Sequence, residues 1–390
     1  MDTLEQRLKN FADAIDLKEP DKVPVSMEVT GWPLTYAGWT LPEAINDPVN
    51  GAKAYCKFMD DIPYDCHILD FGYMSYPEIY KELGNNEFVM AADGVGIQHA
   101  QSNISFFPDE DYEEVISDFI NYTKEKRVRQ QYSIYSLPKE EAYEHLKRAA
   151  ILFRQLNEFS MGCNRILTEH GKFAAIAVGR MAAGYGSALN TLFDHLRGMK
   201  NTLIDLRRRP EQLDRLCDVI SKLNDRPFDM SMMDGLPFKM GTTVYHSECF
   251  LSNKQFEKYF LNGFKEKWMP YMEQGLKFFL KGEGSFMNTL KYYDDFPKGS
   301  MVIMLEQDDP FEVYKIIGGK HTMIAGMPVE MLQNSTPQEC VDYAKRCFDT
   351  FAPGGGFIFG NNKPMLCARD AKEENVRAVY EFADEYSRKK

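Results

Sequence analysis

The sequence feature that most constrains the fold is a series of three consecutive apolar runs. Each run leads into a residue that can bind a metal or transfer a proton. The runs cover residues 239–246, 276–283 and 300–307, and they lead to His246, Glu283 and Glu306. Segments with helical character separate them, as between parallel strands joined by crossover helices. Because the strands of a parallel barrel present their carboxyl ends at one face, the pattern predicts a functional site there. The alternative is three ordinary strands followed by polar loop residues.

The rest of the chain continues this alternation. Further apolar runs with strand character lie at residues 24–29, 66–71, 173–178, 321–327 and 354–360. The eight runs together predict an α/β fold, a (β/α)8 TIM barrel, as a single domain over residues 1–390. An N-terminal helical extension covers residues 1–22, and a largely helical insertion covers residues 80–165. A doubly wound sheet is the alternative, but no Gly-x-Gly-x-x-Gly motif follows the early strands.

Charge and cysteine usage exclude several classes of protein. The formal net charge of −12 disfavours nucleic-acid binding, because phosphate contacts need a basic surface. No apolar run approaches the ~18 residues of a membrane span, and the N-terminus is a charged amphipathic helix rather than a signal peptide. The 8 cysteines include no Cys-x-x-Cys pair and are expected to be reduced thiols. We therefore expect a soluble cytoplasmic protein.

The polar strand ends indicate metal chemistry. Histidine is both a common metal ligand and the usual general base, and His246 ends the fourth strand. Glu283 lies between two glycines, which let the backbone turn sharply and let a ligand approach closely. One histidine, one or two carboxylates and a cysteine form a tetrahedral zinc set. The candidate ligands are His246, Glu283, Glu306 and Cys367, with Cys249 as an open alternative, and His246 and Glu283 are the candidate catalytic residues.

Aromatic residues are concentrated in the loops after the first three predicted strands. They are Trp32, Tyr36, Trp39, Tyr73, Tyr76 and Tyr185. An aromatic lining suits a flat apolar ligand, although loop aromatics also cover neighbouring helices. We expect Trp32, Tyr36 and Tyr73 to contact a substrate ring.

Several segments together resemble the uroporphyrinogen decarboxylase superfamily over nearly the whole chain. They are FLSNKQFEKYFLNGFKEKWMPYM (250–272), FLKGEGS (279–285), TMIAGMP (322–328), TPQECVDYAKRCFD (336–349), GGGFIFGNN (354–362) and DAKEENVRAVYEFA (370–383). In the decarboxylase, arginines of the N-terminal loop hold the substrate propionates, whereas residues 31–40 here contain no arginine. The zinc-dependent methyltransferases of this superfamily carry His-x-Cys at the fifth strand, where this chain has Lys281, Gly282 and Glu283.

A subgroup with a histidine after the fourth strand and a glutamate between small residues at the fifth is similar to this chain. The resemblance implies transfer of a methyl group from a methoxylated aromatic, or a similar small donor, to the Co(I) of a separate corrinoid protein. It also implies Zn2+ in the site, and a harder ligand set without the usual cysteine suits an oxygen substrate. Relatives suggest a homodimer. The alternatives are a metal-independent decarboxylase, which predicts cations at the barrel mouth, and a non-catalytic corrinoid- or tetrapyrrole-binding protein.

Overall fold

The computed structural model describes residues 2–72, 75–85, 88–99, 107–178 and 183–388. Its main sheet is parallel and consists of β5 (Gly184–Tyr185), β6 (Met240–Tyr245), β7 (Lys277–Gly282), β8 (Met301–Leu305), β9 (Thr322–Met327) and β10 (Phe357–Asn361), in that order across the sheet. The remaining strands pair as β1 (Cys66–His67) with β4 (Phe173–Ala174) in parallel, and β2 (Phe88–Met90) with β3 (Ile97–His99) antiparallel. The mixed α/β class with a parallel sheet is therefore confirmed.

Helices connect the strands, as parallel pairing requires. Up to β4 they are α1 (Leu4–Ile15), α2 (Trp32–Ala37), α3 (Leu41–Asn46), α4 (Pro48–Cys56), α5 (Phe58–Asp61), α6 (Pro77–Glu82), α7 (Tyr112–Ser117), α8 (Phe119–Tyr122), α9 (Val128–Gln131) and α10 (Lys139–Glu169). After β4 they are α11 (Ala175–Val178), α12 (Ala188–Thr191), α13 (Met199–Arg208), α14 (Pro210–Asn224), α15 (Asn253–Phe256), α16 (Asn262–Met272), α17 (Pro310–Ile317), α18 (Val329–Asn334), α19 (Pro337–Phe351) and α20 (Glu373–Tyr386). Among the helices described, none combines the length and apolar character needed to cross a membrane.

Isolated bridges extend the parallel ladder beyond β10. Val25 pairs with Phe359 and Ser26 pairs with Cys66, so the segment predicted as the first strand lies between β10 and β1. This segment makes bridges but no regular strand. The predicted third strand is also shorter than expected, because α11 begins directly after Ala174. Its alanine-rich sequence favours a helix.

Alternate residues along the strands face two different cores. Phe279, Val302 and Met304 pack in a cluster with α1, whereas Phe278 and Ile303 pack in the larger cluster formed with the other helices. This follows from the period of two in a β-strand. The sheet therefore separates an interior, which contains the N-terminal helix at one end, from an outer layer of helices.

The N-terminal helix α1 covers the end of the interior where the strands begin. Thr3 caps it, because its side chain accepts the backbone N–H of Gln6. Phe11 is fully buried and contacts Phe173 and Phe238 at ring-centroid distances of 5.6 and 5.0 Å. The opposite end, where the strands finish, is thus the end that can hold a site.

Strands β6, β7 and β8 finish at the same level. Tyr245 pairs with Gly282, which in turn pairs with Leu305. The backbone N–H of Glu283 donates to the Tyr245 carbonyl at 3.0 Å, and that of Glu306 donates to the Gly282 carbonyl at 3.1 Å. The three predicted polar residues therefore follow directly on neighbouring strands, and both glutamates continue the inward-facing rows.

Candidate active site

His246 follows β6 and lies between two carboxylates. Its Nδ1 is 2.9 Å from Oδ1 of Asp194, and its Nε2 contacts Oε2 of Glu283. The hydrogen bond to Asp194, followed by that to Glu283, raises the pKa of His246 to about 10. The ring is therefore an imidazolium at neutral pH and donates a hydrogen bond to each carboxylate.

Glu283 follows β7 and lies between two cations. Lys281, two residues earlier and on the same side of the strand, donates to the second carboxylate oxygen. Burial acts to raise the pKa of Glu283, but the hydrogen bond from His246 and the charge of Lys281 outweigh it and lower the pKa to about 2. The result is a row of side chains with alternating negative and positive charge. We call this row the site line; it consists of Asp194, His246, Glu283 and Lys281.

Asp194 comes from a π-helical turn, Leu192–Leu196, that follows α12. Such turns alter the direction of the side chains and are frequent at functional sites. Asn190, one turn earlier, accepts hydrogen bonds from the backbone N–H and the hydroxyl of Ser247 at 2.9 and 2.6 Å. The same segment thus fixes the loop after β6 and supplies the carboxylate that orients the histidine.

Glu248 holds the backbone of that loop. Its Oε2 accepts the N–H of His246 at 2.9 Å, and its Oε1 accepts the hydroxyl of Ser187 at 3.0 Å. The side chain is almost fully buried, and burial raises its pKa to about 7. Glu248 therefore positions His246 through the main chain rather than through the ring.

A further buried carboxylate faces Lys281 from the predicted first strand. Glu28 accepts the backbone N–H groups of Ile68 and Leu69 at 2.7 and 3.1 Å. Burial raises the pKa of Glu28 to about 7, and the charge of Lys281 acts in the opposite direction. Burial also raises the pKa of Asp70, two residues beyond Ile68. The ammonium of Lys281 therefore acts on two carboxylates, Glu283 and Glu28.

Two of the predicted metal ligands have other neighbours. The carboxylate of Glu306 lies 3.8 Å from the Lys363 ammonium. The Sγ of Cys367 lies 3.4 Å from Oδ1 of Asp370, and burial raises the pKa of this thiol. Within the described ranges, no three His, Cys, Asp or Glu side chains converge closely enough to hold a metal ion. Of the four predicted ligands, the histidine and the first glutamate are the pair in contact.

Cys249 lies close to this pair. Its Sγ donates to the carbonyl of His246 at 3.4 Å, and a Cβ placed on Gly284 would come within 2.9 Å of the sulfur. The thiol thus packs against the turn that follows Glu283. Burial raises the pKa of Cys249, so it is protonated at neutral pH when no metal is bound.

The predicted aromatic residues have roles in the protein's own packing. Trp32 is buried, and its indole N–H donates to the carbonyl of Ala371 at 3.1 Å. The hydroxyl of Tyr36, a partly buried residue, donates to Asp61 at 2.5 Å. Tyr73 lies outside the described residues. Trp32 and Tyr36 therefore support the loop that follows the predicted first strand.

Sequence patterns did not identify Asp194 as a site residue. It lies 52 positions before His246, inside a helical segment, and no spacing rule connects the two. Glu248 lies two residues after His246, but the sequence gives no sign that its carboxylate is buried. Lys281 could have been assigned to the site, because the period of two places it on the same side as Glu283.

Comparison with known proteins addresses the fold. No family model matches the chain, and no curated protein sequence matches it. Among solved structures, a methyltransferase from Methanosarcina mazei matches over 99% of this chain and 99% of its own, with a TM-score of 0.57 and 14% sequence identity. At this identity the likeness concerns the fold alone. The chain thus has, over nearly its whole length, an overall fold similar to that of this methyltransferase.

Proposed function

We propose that the chain is a methyltransferase that moves a methyl group from the oxygen of a methoxylated aromatic, or a similar small donor, to the Co(I) of a corrinoid protein. The observation that carries the proposal is the site line, which brings an imidazole and a carboxylate together at the ends of adjacent parallel strands. The end-to-end likeness to a methyltransferase structure supports the same class of reaction. The scaffold in this proposal is the full (β/α)8 barrel, with the corrinoid protein at its carboxyl end.

We propose that the central pair of the site line, His246 and Glu283, supplies two of the ligands of a zinc ion. Nε2 of His246 faces the carboxylate of Glu283. The pair therefore offers one nitrogen donor and one oxygen donor to a metal ion. Asp194 holds the other ring nitrogen, as carboxylates commonly do behind a metal-binding histidine. Bound zinc would act as a Lewis acid on the donor oxygen. The candidates for a further ligand are Glu306, Cys249 and Cys367.

Lys281, the remaining charged residue of the site line, has its own role in this proposal. When the methyl group leaves an aryl methyl ether, the oxygen that remains is a phenolate and carries a negative charge. Lys281 is an inward-facing ammonium whose side chain is only 17% exposed, so its charge is weakly screened. We propose that it stabilises this developing charge, while Asp194 keeps the ring of His246 oriented.

Anaerobic methyl transfer to free cob(I)alamin tests the proposal. Methylcobalamin formation from a panel of methoxylated aromatics is followed spectroscopically, and zinc per chain is measured on the same samples. We expect turnover and zinc near one per chain in the wild type, and loss of both in His246→Ala and Glu283→Gln. The matched control is Glu312→Gln, because Glu312 is an exposed glutamate paired with Lys315 on α17.

Three outcomes would contradict parts of the proposal. Full methyl transfer by metal-free protein would remove zinc from it. Transfer to free cobalamin but to no corrinoid protein would remove the partner. Carbon dioxide release from an aromatic acid, without any methyl transfer, would favour the decarboxylase, for which Lys281 would be the substrate-binding cation.

A further inference from the structure

A cavity lies in the outer layer of the molecule, between the strands β8 and β9 and the helices α17 and α19. We call it the outer cavity. Its volume is about 270 Å3, near the lower limit for small-molecule sites, so it suits a small ligand. Ile303 and Met323, which line it, belong to the core cluster formed with the outer helices and not to the interior cluster. The outer cavity is therefore separate from the site line, which faces the interior.

The outer cavity exists because two neighbouring strands separate. The pairing of β8 with β9 ends at Met304 and Ile324, whereas β9 continues to pair with β10 up to its own end. The side chain of Asn362 spans the gap beyond that point. It donates to the carbonyl of Glu306 at 2.8 Å and accepts the backbone N–H of Val329 at 2.9 Å. Side-chain hydrogen bonds thus replace strand pairing at this level, and the space is built into the fold.

The inner wall of the outer cavity is apolar and buried. Ile303, Val313, Met323 and Ala325 line it, and none of these four residues is more than 7% exposed. Ala325 contributes only a methyl group, so the wall leaves room where a larger side chain would fill it. Such a wall suits the hydrocarbon part of a ligand, because burying apolar surface there removes it from water.

The rim of the outer cavity carries more acidic than basic side chains. Among the described residues that line it, four have carboxylates and one, Arg346, has a guanidinium. Arg346 lies over the ring of Phe311, at 3.7 Å from the ring centroid. Asp309 and Glu330 are exposed, and within the described part of the chain neither forms an ion pair. The rim therefore presents negative charge that the protein itself does not neutralise.

Tyr343 brings a hydroxyl group to the same space. Burial raises the pKa of Tyr343, and the charges of Asp309 and Glu330 act in the same direction. The hydroxyl is therefore neutral, and among the described residues it has no hydrogen-bond partner. Its oxygen can accept a hydrogen bond from a ligand.

We propose that the outer cavity binds a small apolar amine. The hydrocarbon part of the amine packs against the buried wall, and its ammonium group lies at the rim. There Asp309 and Glu330 attract it, and the hydroxyl of Tyr343 accepts one of its hydrogen bonds. An apolar acid of the same size is disfavoured, because the carboxylates would repel it and the guanidinium of Arg346 is engaged with Phe311. This proposal is independent of the reaction assigned to the site line.

Methionine-methyl NMR of the full-length protein, titrated with phenethylamine, tests the proposal. Met323 lines the outer cavity, so its methyl resonance, assigned through Met323→Leu, reports binding there and not at the site line. We expect a saturable shift of this resonance, with a dissociation constant on the order of 1 mM for so small a ligand. The matched probe is 3-phenylpropionate, which has a carboxylate in place of the ammonium and should cause no such shift.

Three variants locate the binding. Glu330→Gln should raise the dissociation constant about threefold, as expected when an exposed charge pair is lost. Glu312→Gln is the control, because Glu312 is an exposed glutamate of α17 outside the outer cavity, and it should leave binding unchanged. Ala325→Leu should abolish binding by filling the space, and circular dichroism establishes that this variant is folded.

Four results would overturn the proposal. The first is an unshifted Met323 resonance at a phenethylamine concentration about tenfold above the expected dissociation constant. The second is equal binding of the acid and the amine. The third is wild-type affinity in Glu330→Gln, and the fourth is binding that persists in a folded Ala325→Leu.

Discussion

Replacing Asp194 by asparagine tests how the charge of His246 is controlled. The Oδ1–Nδ1 distance is 2.9 Å, and the side chains of His246 and Asp194 are 44% and 24% exposed. A hydrogen bond between charged groups contributes roughly 1.5–3 kcal/mol, and solvent screening at this exposure reduces it to roughly 1 kcal/mol. Since one pKa unit corresponds to about 1.4 kcal/mol, the pKa of His246 should fall by roughly one unit from about 10 in metal-free protein.

Histidine-resolved NMR titration measures this change. His246→Ala identifies the resonance, and His145 is an internal control because its partner, Glu82, is unaffected by the substitution. The raised pKa also means that the ion pair stabilises the fold fully below about pH 6.5 and loses this contribution as pH rises towards 10. Asp194→Asn should therefore reduce the free energy of unfolding at pH 6 more than above pH 10. An unchanged His246 pKa in Asp194→Asn would refute this account of the site line.

Three further substitutions address the turn, the core and the lysine. Gly284 has φ +119°, and a Cβ there would meet the Cβ of Cys249 at 2.8 Å. Gly284→Ala should therefore lower the free energy of unfolding, measured in urea, by roughly 1–3 kcal/mol. Wild-type stability of this variant would contradict the prediction. Phe11→Ala should lower the free energy of unfolding by roughly 3–5 kcal/mol, because the ring is fully buried. A decrease below about 1 kcal/mol would mean that α1 does not close the interior. Lys281→Met should raise the pKa of Glu283 above about 2, because it removes the charge of the lysine. The stabilising contribution of Glu283, which is present above about pH 4.5, would then be lost at a higher pH on acidification. Carboxyl 13C NMR measures this pKa, and an unmoved value would contradict the prediction.

Local patterns were sufficient to predict the second half of the fold. Strands β6 to β10 are apolar runs of five or six residues separated by helical segments, and each has the length and period that a buried parallel strand needs. The common level of the strand ends follows from the same regularity. For this reason the sequence could place Glu283 and Glu306 on neighbouring inward rows.

The first half depends more on tertiary contacts. The segment 24–29 is held by isolated bridges to β1 and β10, and the alanine-rich residues after β4 form a helix instead of continuing the strand. Local propensity cannot settle such competition, because the deciding contacts come from distant segments. Trp32 illustrates the same limit, since the partner of its indole N–H is the carbonyl of Ala371, far along the chain.

The sequence predicts which residue types form the candidate site, but not which of these side chains contact one another. His246 and Glu283 each follow an apolar strand in the sequence, and the structure brings them into contact. Spacing could not show that Asp194 takes the second ring nitrogen, since that depends on the π-helical turn after α12. It also could not show that Cys367 packs against Asp370.

X-ray diffraction at the zinc absorption edge, on crystals of the purified protein, tests the central claim most directly. We expect an anomalous peak between Nε2 of His246 and the carboxylate of Glu283, within about 2.0–2.2 Å of both donors. An active protein with no peak at this position, or with zinc bound elsewhere, would contradict it.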